Sequence, residues 1–456
     1  MSTDNGQVLM EKAAAIAAAL PDAQRVLMVG GCVRDKLLGL PVKDIDLEVY
    51  GLSYEQIVQR LRRKGFRLGL VGKQFAVIKV GPDIDVSIPR RENKTGTGHK
   101  GFAIEADPSM TFADAAARRD FTINAIGEDF EGRLTDPFNG TADLKKKILR
   151  ATGPAFAEDP LRVLRGMQLA ARFDLQMDAQ TIEQCRHMAD EFPTIARERL
   201  WVEWEKWATK SSVPARGLEV LRATGWIRFF PEIDSLIDVP QDPQWHPEGD
   251  CFVHTLHVCN AAARIAERDG NPPDLRALLL FSALCHDFGK ALTTQQNDQG
   301  RWIAPEHAPR GVPLAESFLQ RIHSPLALIE RVRPLVAEHM VHIFTMDETP
   351  SDRAVRRLAN RLHPASIRML SQVIEADHSG RPPLPAGNPF TAWLEVAAKV
   401  AAAEKRPTPI LMGRHLLARG HKPGPEMGEI LKSAFEAQLD GTFETLEGAL
   451  KWLEEQ

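Results

Sequence analysis

The chain has 456 residues, 43% of them hydrophobic and 26% charged, with a formal net charge of −4. That length accommodates roughly three or four domains, while the lack of any apolar run near the ~20 residues of a bilayer crossing excludes a helical membrane protein and points to a soluble, cytoplasmic one. Five scattered cysteines without a CxxC exclude a disulfide framework or zinc-thiolate site, and the mild charge leaves room only for local phosphate-binding patches. In chain order, the opening MSTDNGQVLMEKAAAIAAAL carries acidic residues and no basic head, which predicts a capped surface helix within residues 1–24 and no secretion signal. From Arg25 to Arg150, β-like runs (RVLMV, IDLEVY, FAVIKV) alternate with helical ones (YEQIVQRLRRKG), as in a small mixed α/β unit. From Asp159 onward the pattern is helical, interrupted by VPQDPQWHPEGD and SGRPPLPAGNP. The expected fold class is α+β: a mixed α/β head followed by an all-α neck, body and tail.

The stretch from Leu27 to Val49, LMVGGCVRDKLLGLPVKDIDLEV, carries the first candidate site. Residues two apart on a strand share a face, so Asp44 and Asp46 would present two carboxylates side by side. Such a pair repels unless cations lie between, and hard cations such as Mg²⁺ prefer oxygen ligands. Gly30 and Gly31 let the backbone approach a bulky anion, and Arg34 would neutralise phosphate. A third carboxylate would come from Asp85 in DIDVSIPRR, with Asp83 competing for the role.

This Gly-Gly turn followed by Asp-x-Asp resembles the polymerase-beta-like nucleotidyltransferases. With ARRDFTINAI (Arg118, Arg119, Asp120, Asn124), DPFNG and AEDPLRVLR (Glu158, Asp159, Arg162, Arg165), the chain resembles the class II tRNA nucleotidyltransferases, the CCA-adding enzymes, in their bacterial form with a fused HD domain. The resemblance implies a nucleotidyltransferase head at 25–150, a base-reading neck at 151–240, an HD body at 241–382 and a tRNA-binding tail at 383–456. It also implies CTP, ATP and tRNA as partners, with Arg119, Asp120 and Asn124 near the nucleotide; no obligate protein partner is evident.

The base-reading string has its own logic. Asp159 and Arg162, three apart on a helix, would lie edge-on to a base as acceptor and forked donor. Cytosine and adenine offer an amine to the Asp, whereas uracil and guanine put a carbonyl there and leave acceptors opposed. Arg165 would hold triphosphate or ribose. At Gln168 the chain departs from the resembling pattern, which has an arginine, and a neutral amide cannot neutralise phosphate. The stretch PRRENKTGTGHKGFAIEADPSM, with Gly96, Gly98 and Gly101 among Arg90, Arg91, Lys94 and Lys100, corresponds to a flexible loop that in the resembling enzymes helps the site change from C to A addition.

A second site centres on ALLLFSALCHDFGKAL, where adjacent His286 and Asp287 end an apolar helix and are costly there without a partner. It resembles the HD phosphohydrolases, whose pattern His254, His286, Asp287 and Asp377 would fill. Imidazole and carboxylate together suit a divalent transition metal, or Mg²⁺ less well. His307 and His339 would supply a second metal or bind phosphate, and Lys290 would neutralise a phosphate oxygen. His257, His342 and His378 are taken as ordinary core or capping residues. The resemblance implies 2′,3′-cyclic phosphodiesterase, 2′-nucleotidase and phosphatase chemistry. Finally, Arg353, Arg357 and Arg361 form a basic stripe at helical spacing, and Arg414, Arg419 and Lys422 add basic positions in the tail, as tRNA phosphate contacts. The rivals are a CC-adding or A-adding partial enzyme, a poly(A) polymerase, disfavoured because LVGKQFAVIKV lacks an arginine-rich strand, and an HD phosphohydrolase whose head merely binds RNA.

Overall fold

The computed structural model describes residues 2–69, 77–94, 102–345 and 349–456. The chain divides into two compact units, residues 1–203 with 219–226, and 204–218 with 227–456.

In the first unit, helix α1 (Ser2–Ala18) places Leu9, Ala13 and Ile16 on one stripe that continues to Leu20. All four are buried against the sheet, at about 1.5–3 kcal/mol for each large side chain. The N-terminal helix is thus a wall of the head's core and not the surface helix expected. Strand β1 (Arg25–Val29) runs into helix α2 (Gly31–Leu37), β2 (Ile45–Tyr50) leads to α3 (Tyr54–Arg63), and β3 (Val77–Lys79) and β4 (Ile84–Ser87) follow. Ser53 and Gln56 close a capping box at the start of α3. A hairpin of β5 (Arg90–Lys94) and β6 (Phe102–Ala106) stands apart from the main sheet, and β7 (Gly127–Glu128) and β8 (Leu134–Thr135) complete the latter in the order β3-β4-β2-β1-β7-β8. The residues 95–101 lie outside the described set, as do the side chains of Arg91 and Lys94, so the basic glycine loop has no structural account.

The period of two in β2 decides what faces where. Ile45, Leu47 and Val49 enter the core shared with α1 and α3, and the alternate residues Asp46, Glu48 and Tyr50 take the opposite face. A parallel pair, β9 (Ile148–Leu149) with β10 (Gln176–Met177), ties the head to the neck helix Leu161–Phe173.

The second unit is helical. The helix Cys251–Arg268 is capped by Asp250, whose carboxylate accepts from the Val253 N–H at 2.8 Å. The helix Pro273–Cys285 is buried without a break from Ala277 to Cys285, so the residues that follow it, His286 and Asp287, are delivered into the interior. Around it stand helices His307–Arg321, Leu326–Glu338, Asp352–Leu362 and Ile367–Ser379. A small separate core holds Leu416, Ala434, Phe443 and Ala449 of the tail.

Candidate active sites in the head and the helical body

In the head, β2 and β4 are parallel with Asp46 directly paired to Asp85. Neighbours in register share a face, so these two carboxylates sit side by side, with Asp44 just ahead of β2. Asp83 is exposed in the turn before β4 and engages Ile45 only through its backbone carbonyl; register selects Asp85 over Asp83. The Asp46 carboxyl is raised above its ordinary value by partial enclosure and by Asp44, Asp85 and Glu48, with Arg119 opposing. Lys79 Nζ lies 2.8 Å from Asp85. Carboxylates clustered on one face are the arrangement a hard divalent cation relieves, so the donor set fits Mg²⁺.

Gly30 adopts φ +78°, and a Cβ there would come within 2.9 Å of Arg119 Nη1. The glycine therefore serves a left-handed turn and lets Arg119 reach the carboxylate face, where Arg119 also lies 3.6 Å from Glu48. Arg34 differs from expectation. It is buried, donates to Asn124 Oδ1 at 2.6 Å and to Asp35 at 2.6 Å, and stacks on Phe173. It fastens head to neck and is not offered to phosphate in this state.

Asp120 receives Asn124 at 2.9 Å and Arg165 at 2.7 Å. Burial alone would raise its carboxyl, but Arg165, Asn124 and the Phe121 N–H take it down to about 2. Arg165, expected on triphosphate, is held in this pair. Asp159 and Arg162 do not form the expected edge-on pair. Asp159 precedes Pro160, takes an extended backbone (φ −131°, ψ 107°) and lies outside the helix, which begins at Leu161; a residue before proline is sterically excluded from the α region. Its carboxylate binds Arg199 at 2.7 Å, while the Arg162 fork donates to the carbonyls of Ala155 (2.6 Å) and Arg118 (2.7 Å). Gln168 is buried in the neck helix, with its Oε1 lacking a hydrogen-bond partner among the described residues.

In the body, His254, His286, Asp287, His307, His339 and Asp377 converge. Their donor atoms fall into two groups, His254/His286/Asp377 and Asp287/His307/His339, each with all ligand atoms within 4.8 Å of one another. The tautomers follow from the hydrogen bonds. Nδ1 of His286, His307 and His339 lies 2.7–2.8 Å from the carbonyls of Ala283, Ala304 and Val336. A carbonyl can only accept, so each Nδ1 donates, and in His307 and His339, which burial holds below the ordinary imidazole value, each Nε2 carries a lone pair. His307 Nε2 and His339 Nε2 then oppose each other at 3.2 Å, two acceptors without a proton between them, with Asp287 Oδ1 3.4 Å from His307. That geometry fits a shared cation. His339 is driven down to about 3 by burial and by His307 and His286.

Sequence reasoning missed Glu248 and His246. Glu248 accepts from His254 Nδ1 at 2.7 Å and lies 3.0 Å from His246. Burial opposes but these hydrogen bonds prevail, taking Glu248 down to about 2. His254 is in turn raised to about 9, against burial, by Asp377 and Glu248. Both residues lie in VPQDPQWHPEGD, whose Pro/Gly content signals only a loop. Lys290 Nζ is 2.7 Å from Asp287 and donates to Gln241, so its charge is shared with a ligand carboxylate. His342 and His378 line the cavity over this centre.

The arginines of the stripe carry acidic partners in this structure. Arg353 and Arg357 pair with Asp440 at 2.9 and 2.7 Å, and Arg361 with Glu338 at 2.7 Å. Asp440, which caps the tail helix Pro425–Leu439, thus ties that helix to Arg353 and Arg357, while Glu338 pairs Arg361 within the body. Arg414 donates to His415, and Arg414, Arg419 and Lys422 are exposed.

Comparison with known proteins follows this division. Residues 26–150 match the model of the poly A polymerase head domain, 174–237 that of the probable RNA and SrmB-binding site of polymerase A, and 251–365 that of the HD domain. Fold and sites thus define a nucleotidyltransferase head joined to an HD metal centre. The Multifunctional CCA protein of Methylobacillus flagellatus is 40% identical over 370 residues, covering 78% of this chain and 84% of that protein. That of Nitrosococcus oceani is 36% identical over 390 residues, covering 83% and 91%. The chain belongs to this family, the class II CCA-adding enzymes with an HD domain. Its fold is that of the Bacillus stearothermophilus CCA-adding enzyme solved in complex with CTP (19% identity, 98% of this chain and 97% of that one, TM-score 0.63). It is likewise that of the Thermotoga maritima CCA-adding enzyme complexed with tRNA (19% identity, 98% of each chain, TM-score 0.57).

Proposed function

We propose that the chain is a cytoplasmic enzyme that adds CCA to the 3′ end of tRNA from CTP and ATP, and that its body hydrolyses phosphoesters at RNA ends. The observation that carries the head reading is the register of Asp46 with Asp85, since a head that only bound RNA would have no use for carboxylates set side by side. Asp44, Asp46 and Asp85 would hold Mg²⁺, which when bound polarises the attacking 3′ hydroxyl and the leaving pyrophosphate. Arg119 steadies the same face through Asp46 and Glu48. Base reading by Asp159 begins with exchange of its Arg199 partner, because the carboxylate is engaged there.

In the body, His254, His286, Asp287 and Asp377 would bind one metal and His307 and His339 would join Asp287 on a second. A nitrogen-rich donor set favours a transition metal over Mg²⁺. The Glu248–His254 and carbonyl–Nδ1 bonds aim the ring nitrogens and fix their tautomers. The reactions supported are hydrolysis of 2′,3′-cyclic phosphates and 2′-phosphates.

The test incubates the purified protein and Mg²⁺ with tRNA transcripts ending at the discriminator base, at C and at CC, with each nucleoside triphosphate alone and mixed. Extension that stops at CCA, with UTP and GTP inert, is expected, and Asp46→Ala should abolish it. Undiminished incorporation by that variant would refute the head assignment; arrest at CC would make the chain a partial enzyme.

A further inference from the structure

The cavity over the body's metal-ligand cluster has a volume of about 480 Å³, the size of a small-molecule site. Its sides differ in chemistry. Asp287, His307 and Asp377 line it with Lys290, and so do Trp245, Trp302 and Ile303. Trp245 is 52% exposed and Ile303 40% exposed, so large apolar surface stands in solvent beside charged ligands. An indole exposed in this way forgoes the burial of its apolar ring that packing would give.

The apolar side is also fixed. Trp302 begins β12 (Trp302–Ile303), which pairs with β11 (Gln295–Gln296) in the register Gln296 to Trp302. Arg301, one residue earlier, donates to Asp242 at 2.7 Å and to Gln244 at 3.0 Å, binding this hairpin to the loop that carries Trp245. The Lys290–Gln241 bond, 2.7 Å, ties the same loop to the metal side. The two segments that carry Trp245 and Trp302 are thus tied to each other and to the phosphate-binding side.

A plain phosphomonoester has no surface to lay on an indole, whereas a nucleobase has a π-face that stacks on one irrespective of sequence. We propose that Trp245 and Trp302 form a nucleobase seat, so that the centre takes the terminal ribonucleotide of an RNA 3′ end. The base lies on the apolar side, and the 2′ or 2′,3′-cyclic phosphate lies toward Asp287, His307 and Lys290. The seat rests on the phosphohydrolase reading of this centre and makes it selective for nucleotides over other phosphoesters.

The test measures hydrolysis of adenosine 2′-phosphate, of an RNA oligonucleotide ending in a 2′-phosphate, and of glycerol 2-phosphate, which has no base. Trp245→Ala and Trp302→Ala should each lower the preference for both nucleotide substrates over glycerol 2-phosphate by about 5- to 100-fold, through KM. The Trp→Phe variants should recover most of it. Calorimetric titration of adenosine 2′-phosphate into the same proteins should show an affinity loss of the same order without any turnover. An unchanged preference and unchanged affinity in both alanine variants would overturn the seat. Should the unaltered protein hydrolyse none of these esters, the phosphohydrolase reading falls, and the titration alone decides whether the base is bound.

Discussion

Asp120 shows how a residue in a motif can act beneath the site it appears to form. Its carboxylate is buried, yet held at about 2 by Arg165, Asn124 and the Phe121 N–H against the cost of burial. A carboxyl depressed from its unfolded value near 3.8 stabilises the fold fully above that value. The contribution is lost as pH falls through the window from about 4 to about 2. Arg165 keeps 37% of its side-chain exposure, so solvent screens part of the pair. Asp120→Asn should cost about 1–3 kcal/mol at neutral pH, measured by denaturant titration, and the gap to the unaltered protein should close as pH is lowered through that window. A gap that stays constant would show that the ion pair is not what Asp120 supplies.

Among the elements, the turn after the apolar helix Pro273–Cys285 is the most constrained. A Cβ on Gly289 would lie 2.0 Å from the carbonyl oxygen of His307 and 2.7 Å from the Gly311 N–H. Only glycine lets helix His307–Arg321 approach closely enough to put His307 beside Asp287. Gly289→Ala should therefore weaken the body by about 1–3 kcal/mol or more and reduce its hydrolytic rate, while CCA addition by the head continues; a variant of full hydrolytic activity and stability would contradict the packing. Such constraints also explain what could be read in advance. Strand β2 was legible because its alternation is strict, and His286 with Asp287 because two polar residues end a run of apolar ones. Asp159 falls in a helical pattern, yet Pro160 after it is a local steric signal that excludes it from the helix. Glu248, Trp245 and Trp302 had no such signal, because loop residues reach a site only through tertiary approach. The period of the arginine stripe was legible, but its acidic partners Glu338 and Asp440 were not, since they lie elsewhere in the chain.

For the molecule as a whole, the cations that no acid holds are the ones that meet tRNA phosphate without first giving up a partner. Arg353, Arg357 and Arg361 are neutralised by Asp440 and Glu338, whereas Arg419 and Lys422 stand exposed in the tail. Each phosphate contact contributes about 0.7–0.9 to the slope of log affinity against log salt. Replacing Arg419 and Lys422 by alanine should lower that slope for tRNA by about 1–2, and Arg357→Ala should leave it unchanged; the reverse result would return the stripe to the RNA interface. At this scale the two chemistries draw on separate ligand sets, carboxylates alone in the head and imidazole with carboxylate in the body.

The neck helix Leu161–Phe173 is joined to the head at two places two turns apart, Arg165 on Asp120 and Arg172 on Asp35, with Arg34 of the head stacked on Phe173 at the helix end. One fastening would leave a pivot; two remove it, and the helix becomes a jig whose distance and angle to the carboxylates are set. On the proposed reading, Asp159 at its N-terminal end would then be a gauge fixed relative to those carboxylates, and the RNA end would be the part that moves as each nucleotide is added.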